Sequence, residues 1–142
     1  MVSSHDYFAD KRNDKVKIYI NGKFYKRKDA KVSVFDSSVL LGDGVWDSLR
    51  YHENKFIFLK EHLDRLYRSA HGISLEISYT KQEIVHEINR VLHKNNMNDN
   101  IHIRLVVSRG DKITPYQNPN ANVGPINFVI IPEHKKTDPK VY

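Results

Sequence analysis

Cysteine is absent from the 142 residues of this chain. Disulfide scaffolds, thiolate zinc sites and cysteine nucleophiles are therefore excluded. Long apolar runs are missing too, and no stretch approaches the ~20 residues that a helix needs to cross a bilayer. The first residues, Met1 to Asp6, are polar and lack the apolar centre of a signal peptide. We expect a soluble, cytoplasmic protein with no membrane partner.

Acidic residues are fewer than basic ones, 17 against 23, which leaves a formal charge of +6. A basic surface attracts polyanions such as nucleic acids. The densest basic stretch, Lys11 to Lys31, falls on a polar segment and a predicted strand pair, where alternate side chains face solvent in any case. The position of the charge therefore argues against nucleic acid as a partner.

Alternating apolar residues predict strands in the first part of the chain. Val16–Ile20 and Lys23–Tyr25 flank Asn21-Gly22, a pair typical of two-residue hairpin turns. Lys31–Phe35 is a third short alternating run. Residues 1 to 14 have no periodicity, so we expect a flexible tail there.

Helical spacing begins after a second predicted hairpin, Val45–His52 with Lys55–Phe58. Apolar residues then recur on one helical face from Leu59 to about Ile73. The Thr80-Lys-Gln-Glu83 segment is a capping box, which starts a second amphipathic helix that ends near residue 95.

Two β-branched runs, Ile101–Val107 and Ile126–Ile131, complete the pattern, and the second is apolar enough to be a central strand. Strands, then two helices, then strands predict an α+β fold. We expect a two-layer sandwich with a mostly antiparallel sheet and helices on one face.

Glycine is sparse, but Gly42-Asp43-Gly44 resembles a phosphate-binding loop. A strand rather than a helix follows it, so no helix N-terminus is available to hold an anion. A tight turn is the simpler interpretation. In the strand that follows, Trp46 shares one face with Ser48 while Asp47 lies on the other, so neither face is purely apolar.

Three cationic or imidazole side chains are candidates for binding. Arg65 is turned away from the apolar stripe of its helix, and spacing alone favours a solvated arginine paired with Glu61. His102 and Arg104 share one strand face. Together they could bind a carboxylate, or they could belong to an ordinary exposed face.

Other catalytic patterns are missing. His62, His71, His86 and His93 lack the HExxH spacing of a zinc site, so we expect surface residues and no metal. There is no Gly-x-Ser-x-Gly elbow, and Asp47 has no evident partner that would make an acid/base pair.

Two segments taken together resemble a known family. Val34–Arg50 and Glu61–Leu66, separated by the hairpin, are similar to the N-terminal domain of fold-type IV pyridoxal-phosphate enzymes. This superfamily includes branched-chain aminotransferases, D-amino-acid transaminases, amine transaminases and aminodeoxychorismate lyase. The similarity runs from about Val16 to Ile131 and is greatest for the branched-chain class.

The resemblance implies roles for five residues. Arg65 matches the arginine that holds the cofactor phosphate. Trp46 matches an aromatic position of the substrate pocket, and Leu41 stands near a position where some members have tyrosine. His102 and Arg104 match a Tyr-x-Arg pair that holds carboxylates, with histidine replacing tyrosine. Thr114-Pro115-Tyr116 lacks the Arg-x-His of the D-specific enzymes, which argues against that class.

The resemblance also implies what this stretch would not contain. In the family, a second domain supplies the lysine that forms the Schiff base with pyridoxal 5'-phosphate. Lys135, Lys136 and Lys140 fall where an interdomain linker would begin, so residues 15–132 would be the small domain and residues 133–142 the start of the linker. The C-terminal domain would be absent, no catalytic residue would lie in this chain, and we expect it to be inactive alone.

Two hypotheses remain. The chain is the first half of an aminotransferase that acts on branched-chain-like amino acids and 2-oxo acids, or another member of the superfamily. Alternatively, it is a non-catalytic binding or assembly domain whose basic surface recruits an anion. Family members are usually homodimers, so a homodimer is the expected assembly.

Overall fold

A computed structural model describes residues 9–136. Six of its strands form one antiparallel sheet with the strand order β2-β1-β8-β5-β3-β4. A two-stranded ribbon, β6 with β7, lies beside it. The elements in chain order are β1 (Lys17–Ile20), β2 (Lys23–Lys26), α1 (Ser37–Leu41), β3 (Gly44–His52), β4 (Lys55–Ile57), α2 (Leu59–Gly72), α3 (Lys81–Lys94), β5 (Ile101–Ser108), β6 (Asp111–Lys112), β7 (Asn122–Val123) and β8 (Asn127–His134).

The helices α2 and α3 cover one face of the sheet, which confirms the predicted α+β sandwich. The strand β5 shows why the layers form, because its alternate residues point to opposite faces. Ile101, Ile103 and Leu105 are fully buried, whereas His102 and Arg104 face the side opposite α2 and α3. We call that side the open face. The core between sheet and helices also contains Tyr19, Leu49, Leu66, Ile84, Ile88, Val91, Phe128 and Ile130.

The predicted helix signals are confirmed. Thr80 Oγ1 accepts a hydrogen bond from Glu83 N at 3.2 Å, and Thr80 N donates to Glu83 Oε2 at 2.7 Å, so the capping box is complete. The helix α2 starts differently, from Phe58 in a left-handed conformation with φ 50°. The hairpin before it turns through Glu53 and Asn54, which have φ 48° and 59°.

The predicted third strand, Lys31–Phe35, is wrong, because this segment is an exposed loop that enters the short helix α1. Asp36 caps α1 by accepting a hydrogen bond from Ser38 N at 2.8 Å. Gly42 ends it with φ 69°, a conformation that glycine adopts at little cost. Alternation over five residues did not distinguish a strand from a loop followed by one helical turn.

Gly44 has a different reason to be glycine, since its backbone needs no positive φ. A Cβ at Gly44 would lie 2.9 Å from the carbonyl oxygen of Val107 and 3.1 Å from Ser38 Cβ. The predicted tight turn is present, and only Gly42 uses the conformational freedom of glycine.

The ends of the domain differ from the predicted boundaries. Lys11–Lys15 is a 3₁₀ helix and not a flexible tail, because buried Asn13 is bonded to both backbone groups of His134. The strand β8 likewise continues to His134, two residues past the predicted domain end. The remaining parts of the predicted tail and linker, residues 1–8 and 137–142, lie outside the described residues.

Candidate functional site

A carboxylate on the helix-covered face organises the first part of the site. Asp47 of β3 has a side chain only 1% exposed, and it accepts two hydrogen bonds from Arg65, Nε to Oδ2 and Nη2 to Oδ1, both at 2.8 Å. His62 Nδ1 lies 2.8 Å from Asp47 Oδ1. His62 and Arg65 are three residues apart on α2, so they share one helical face and meet the same carboxylate.

These contacts correct two expectations. Helical spacing predicts a solvated Arg65 near Glu61, but the ion pair of Arg65 is with Asp47, 18 residues away. The prediction of a surface position for His62 is also wrong, because its side chain is only 24% exposed. His71, His86 and His93 are exposed as predicted.

The pKa of Asp47 reflects this arrangement. Burial alone would raise the pKa, but hydrogen bonds from Arg65, His62 and the Ser48 N–H together lower it below the ordinary aspartate value. Asp47 is therefore ionised at neutral pH and fixes the plane of the Arg65 guanidinium. Arg65 Nη1 has no hydrogen-bond partner within residues 9–136, and the side chain is 56% exposed.

A stacked pair forms the second part of the site, on the open face. The Arg104 guanidinium carbon lies 4.1 Å from the centre of the Trp46 ring. Trp46 is 61% exposed. Arg104 Nε and Ser48 Oγ, on paired residues of neighbouring strands, are both buried without a hydrogen-bond partner among the described residues. A buried polar group without a hydrogen-bond partner destabilises the native state, unless a ligand or a water molecule bonds to it.

A cavity of about 610 Å³ lies next to this pair on the open face. His102 and Arg104 line it, so they do not belong to an ordinary exposed face. Its floor is apolar, and Asp36 and Glu133 add negative charge at its margin. The apolar lining residues are Val16, Ile18, Ile20, Ala30, Val32, Val106, Val129, Ile131 and Pro132.

His102 is surrounded by cations. Burial, followed by the charges of Lys135, Arg104 and Arg50, lowers the pKa of His102 to about 4. The imidazole is thus neutral at physiological pH, and it can donate one hydrogen bond and accept another. The cations near His102 favour an anionic ligand beside it, whereas Asp36 and Glu133 oppose one at the margin of the cavity.

This shift predicts a measurable pH dependence. Because the pKa falls from its ordinary value of 6.5 to about 4 on folding, the unfolded chain binds more protons between these values. Stability contributed by neutral His102 is therefore lost as pH falls from about 6.5 to about 4. We expect the His102 ring signals in an NMR titration to remain those of neutral imidazole at pH 5. A His102→Gln variant assigns the signals, and a midpoint near 6.5 would contradict the described environment.

The two parts of the site meet around the outer edge of β3. The strand β4 pairs with β3 only from Arg50 to His52. Within the described residues, the edge from Gly44 to Leu49 therefore has no strand partner on that side. Arg65 approaches this strand from the helix side through Asp47, and Trp46 projects from the adjacent position on the open face. Asp47 and Trp46 are neighbours in β3, so Arg65 and Trp46 lie on opposite faces of the same strand.

Leu41 is less closely associated with these groups. It is the last residue of α1, is 38% exposed and does not line the cavity. Asp43 forms an ion pair with Arg109 at 2.7 Å, and Arg109 also donates to the carbonyl oxygens of Ile73 and Ser74. This pair ties α2 to β5 and to the turn before β3, which is a structural role and not an acid/base pair.

Sequence reasoning missed Asp47 and His62 as site residues. A signal for Asp47 was available, since a carboxylate at a core-facing strand position requires a buried partner. It also missed Ser48, whose buried hydroxyl lies beside Arg104 only because β3 and β5 pair in this register.

The amino-acid sequence also matches the model of a known protein family. The model for amino-transferase class IV matches residues 44–139. The chain belongs to the class IV aminotransferases.

Curated relatives in this family include enzymes of two specificities. The chain is 50% identical over 95 residues to a Methanocaldococcus jannaschii protein that carries a provisional branched-chain-amino-acid aminotransferase name, covering 67% of this chain and 33% of that protein. It is 36% identical over 111 residues to a D-alanine aminotransferase of Staphylococcus epidermidis, covering 78% and 39%. The chain therefore spans about two-fifths or less of these relatives.

Solved structures agree with the fold. The branched-chain aminotransferase of Escherichia coli superimposes with a TM-score of 0.74 and 25% identity, over 84% of this chain and 40% of that one. A second branched-chain aminotransferase, from T.th., is complexed with N-(5'-phosphopyridoxyl)-L-glutamate. It gives a TM-score of 0.71 and 26% identity, over 83% of this chain and 40% of that one. Both match the α+β arrangement described above.

Proposed function

We propose that this chain is the N-terminal domain of a pyridoxal-phosphate-dependent aminotransferase that moves an amino group between a branched-chain-like amino acid and a 2-oxo acid. The observation that carries the proposal is the position of Arg65 and Trp46 on either side of the open edge of β3. In that protein, the chain supplies groups that bind the cofactor and the substrate. The reactive lysine comes from outside residues 9–136.

The phosphate of the cofactor fits Arg65. A phosphate needs donors that the protein has not already used, and Arg65 Nη1 has no partner among the described residues. Asp47 holds the other side of the guanidinium, so the donor is oriented before the ligand arrives. When bound, pyridoxal phosphate withdraws electrons from the substrate carbon that loses its proton. None of the groups in residues 9–136 would carry that proton.

The substrate carboxylate fits the open face. The Arg104 guanidinium lies over the Trp46 ring, and its buried Nε lacks a partner within residues 9–136. Neutral His102 adds a hydrogen-bond donor without adding charge, and the apolar floor of the cavity suits a branched aliphatic side chain. Thr114-Pro115-Tyr116 lacks the cationic pair expected of D-specific members, which supports the branched-chain assignment.

A homodimer is part of this proposal. Several large apolar side chains near α1 and the ribbon β6–β7 are exposed, which is unusual for a monomer unless the surface is covered. They are Val34, Phe35, Val39, Ile113, Tyr116 and Val123.

None of the described helices is long and apolar enough to span a membrane.

Trp46 is the only tryptophan in the chain, so its fluorescence reports directly on this site. We expect 4-methyl-2-oxopentanoate to change the Trp46 emission, because its carboxylate would bind the Arg104 guanidinium that lies over the Trp46 ring. Replacing Arg104 by Gln should weaken binding about tenfold, the order expected when a charge-assisted hydrogen bond is lost.

The control is Arg90→Gln, which removes an exposed arginine on α3 away from the cavity. An unchanged affinity in Arg104→Gln, or an equal loss in both variants, would contradict the assignment. A measurement of amino transfer by the 142-residue chain with added pyridoxal phosphate tests the inactivity that we propose for it alone.

A further inference from the structure

A second, basic cleft lies at the C-terminal end of α3, and Val16 lines both this cleft and the cavity of the open face. Its volume is about 230 Å³. Arg12, Lys15, Lys17 and Lys94 line it together with His134, and no carboxylate is among the lining residues. The 3₁₀ helix Lys11–Lys15, the strands β1 and β8 and the end of α3 therefore bring cations to one place.

Two asparagine side chains make the frame of this cleft rigid. Asn95, at the end of α3, accepts a hydrogen bond from Lys17 N at 2.6 Å and donates to Lys17 O at 3.0 Å. Asn13 is bonded in the same way to the backbone of His134, at 2.7 and 3.0 Å. Each amide thus joins two elements, and the cationic side chains extend from fixed backbone positions.

The charge in the cleft is only partly compensated. Asp10 forms an ion pair with Arg12 at 2.6 Å. Lys15, Lys17 and Lys94 have no ion-pair partner within the described residues. Like charges that converge without counter-charges repel one another, and an anion in the cleft would remove that cost.

A second observation, independent of the lysines, concerns the His134 side chain. His134 Nδ1 is buried and has no hydrogen-bond partner within residues 9–136. Burial and the nearby charge of Arg12 lower the pKa of His134, while Asp10 opposes the shift. No residue in the 9–136 range uses the hydrogen-bonding capacity of this ring nitrogen, and most buried polar atoms do have a partner.

We propose that this cleft binds a small phosphate-bearing anion, either inorganic phosphate or the phosphate group of a small ester. The site is distinct from the Arg65 site, and it goes beyond the proposed aminotransferase function. A single phosphate offers acceptors for several lysines and for His134 at once, which suits a cleft of about 230 Å³ better than an extended polymer.

Calorimetric titration of the 142-residue chain with inorganic phosphate at low ionic strength tests the proposal. We expect the Lys15→Gln/Lys94→Gln variant to bind phosphate about tenfold more weakly, and binding by the unmodified chain to weaken as salt rises. The matched control, Lys23→Gln/Lys55→Gln, removes the same charge from exposed residues outside the cleft and should bind normally. In NMR spectra, phosphate should raise the titration midpoint of His134, near which Arg12, Asp10, Lys15, Lys17 and Lys94 are the charged groups.

Three results would overturn the proposal. Equal losses in the two lysine variants would show non-specific attraction by net charge. Loss of phosphate binding in Arg65→Gln, with normal binding in Lys15→Gln/Lys94→Gln, would assign the phosphate to the cofactor site and leave the proposed function intact. Much tighter binding of a short single-stranded DNA than of phosphate would assign the cleft to nucleic acid. To separate the two phosphate sources, glycerol 3-phosphate is titrated in parallel, and the tighter ligand identifies the preferred one.

Discussion

Replacing Asp36 by alanine is expected to lower the free energy of unfolding by about 3–5 kcal/mol. Asp36 is only 1% exposed, and its carboxylate accepts hydrogen bonds from Ser38 N, Ser38 Oγ, Ser108 Oγ and Asn127 Nδ2. These donors belong to α1, β5 and β8. The substitution removes the cap of α1 and leaves several buried donors without an acceptor, and both effects destabilise the native state.

Chemical denaturation of Asp36→Ala, with Asp29→Ala as the matched control, measures the effect. Asp29 is exposed in the 3₁₀ turn Arg27–Asp29, so its replacement should change stability by no more than about 0.5 kcal/mol. Asp36→Asn should lower the free energy of unfolding by an intermediate amount. The amide keeps one acceptor oxygen, but its NH₂ group faces donors that it cannot bond. A loss below about 1 kcal/mol in Asp36→Ala would contradict this role of the carboxylate.

The pH dependence of Asp36 gives an independent check on the same contacts. Burial would raise its pKa, but hydrogen bonds from Ser108, Ser38 and Asn127 lower it below the ordinary value. The stability that depends on ionised Asp36 is therefore present above the ordinary aspartate pKa. It is lost as pH falls through the lower folded-state pKa. In Asp36→Asn, the free energy of unfolding should therefore fall less steeply as pH decreases through this range.

Replacing Arg65 by alanine is expected to weaken the binding of pyridoxamine 5'-phosphate about a hundredfold. This probe has no aldehyde, so it does not react with surface lysines. In the proposed site Arg65 supplies the oriented charge for the phosphate, and alanine removes both the charge and the donors. Arg65→Lys should recover only part of the loss, because an ammonium cannot make the paired contact with Asp47 that orients the guanidinium.

The matched control is Arg68→Ala, one turn further along α2 and exposed. It should leave the affinity unchanged. Asp47→Asn tests the orienting role, since it keeps Arg65 but weakens its anchor, and we expect an affinity between those of the unmodified chain and Arg65→Ala. If Arg65→Ala and Arg68→Ala are both folded and bind the probe with equal affinity, Arg65 does not bind the cofactor phosphate.

Much of this fold follows from local sequence. The alternation in Ile101–Val107 correctly placed His102 and Arg104 together on the face opposite the core. The capping box at Thr80 and the hairpin turn at Asn21-Gly22 are equally local signals, since each depends on residues that are neighbours in the chain. Local rules succeed where the partners of a residue lie within four positions.

The site depends on contacts between distant segments, which local rules do not provide. Arg65 reaches Asp47 only because α2 packs against β3. Asp36 looks like a turn residue in the sequence, although donors from three elements converge on it. The stacking of Trp46 on Arg104 likewise requires the register of β3 against β5. Spacing alone therefore favoured a solvated Arg65, and the proposal that it binds the cofactor phosphate came from the family resemblance.

Chemical-shift mapping of pyridoxamine 5'-phosphate on the ¹⁵N-labelled chain tests the central claim most directly. We predict the largest changes at the Trp46 indole N–H, at the Arg65 side chain and at His62, around the open edge of β3. Changes confined to Lys15, Lys94 and His134, or an absence of saturable changes at Trp46 and Arg65, would contradict it.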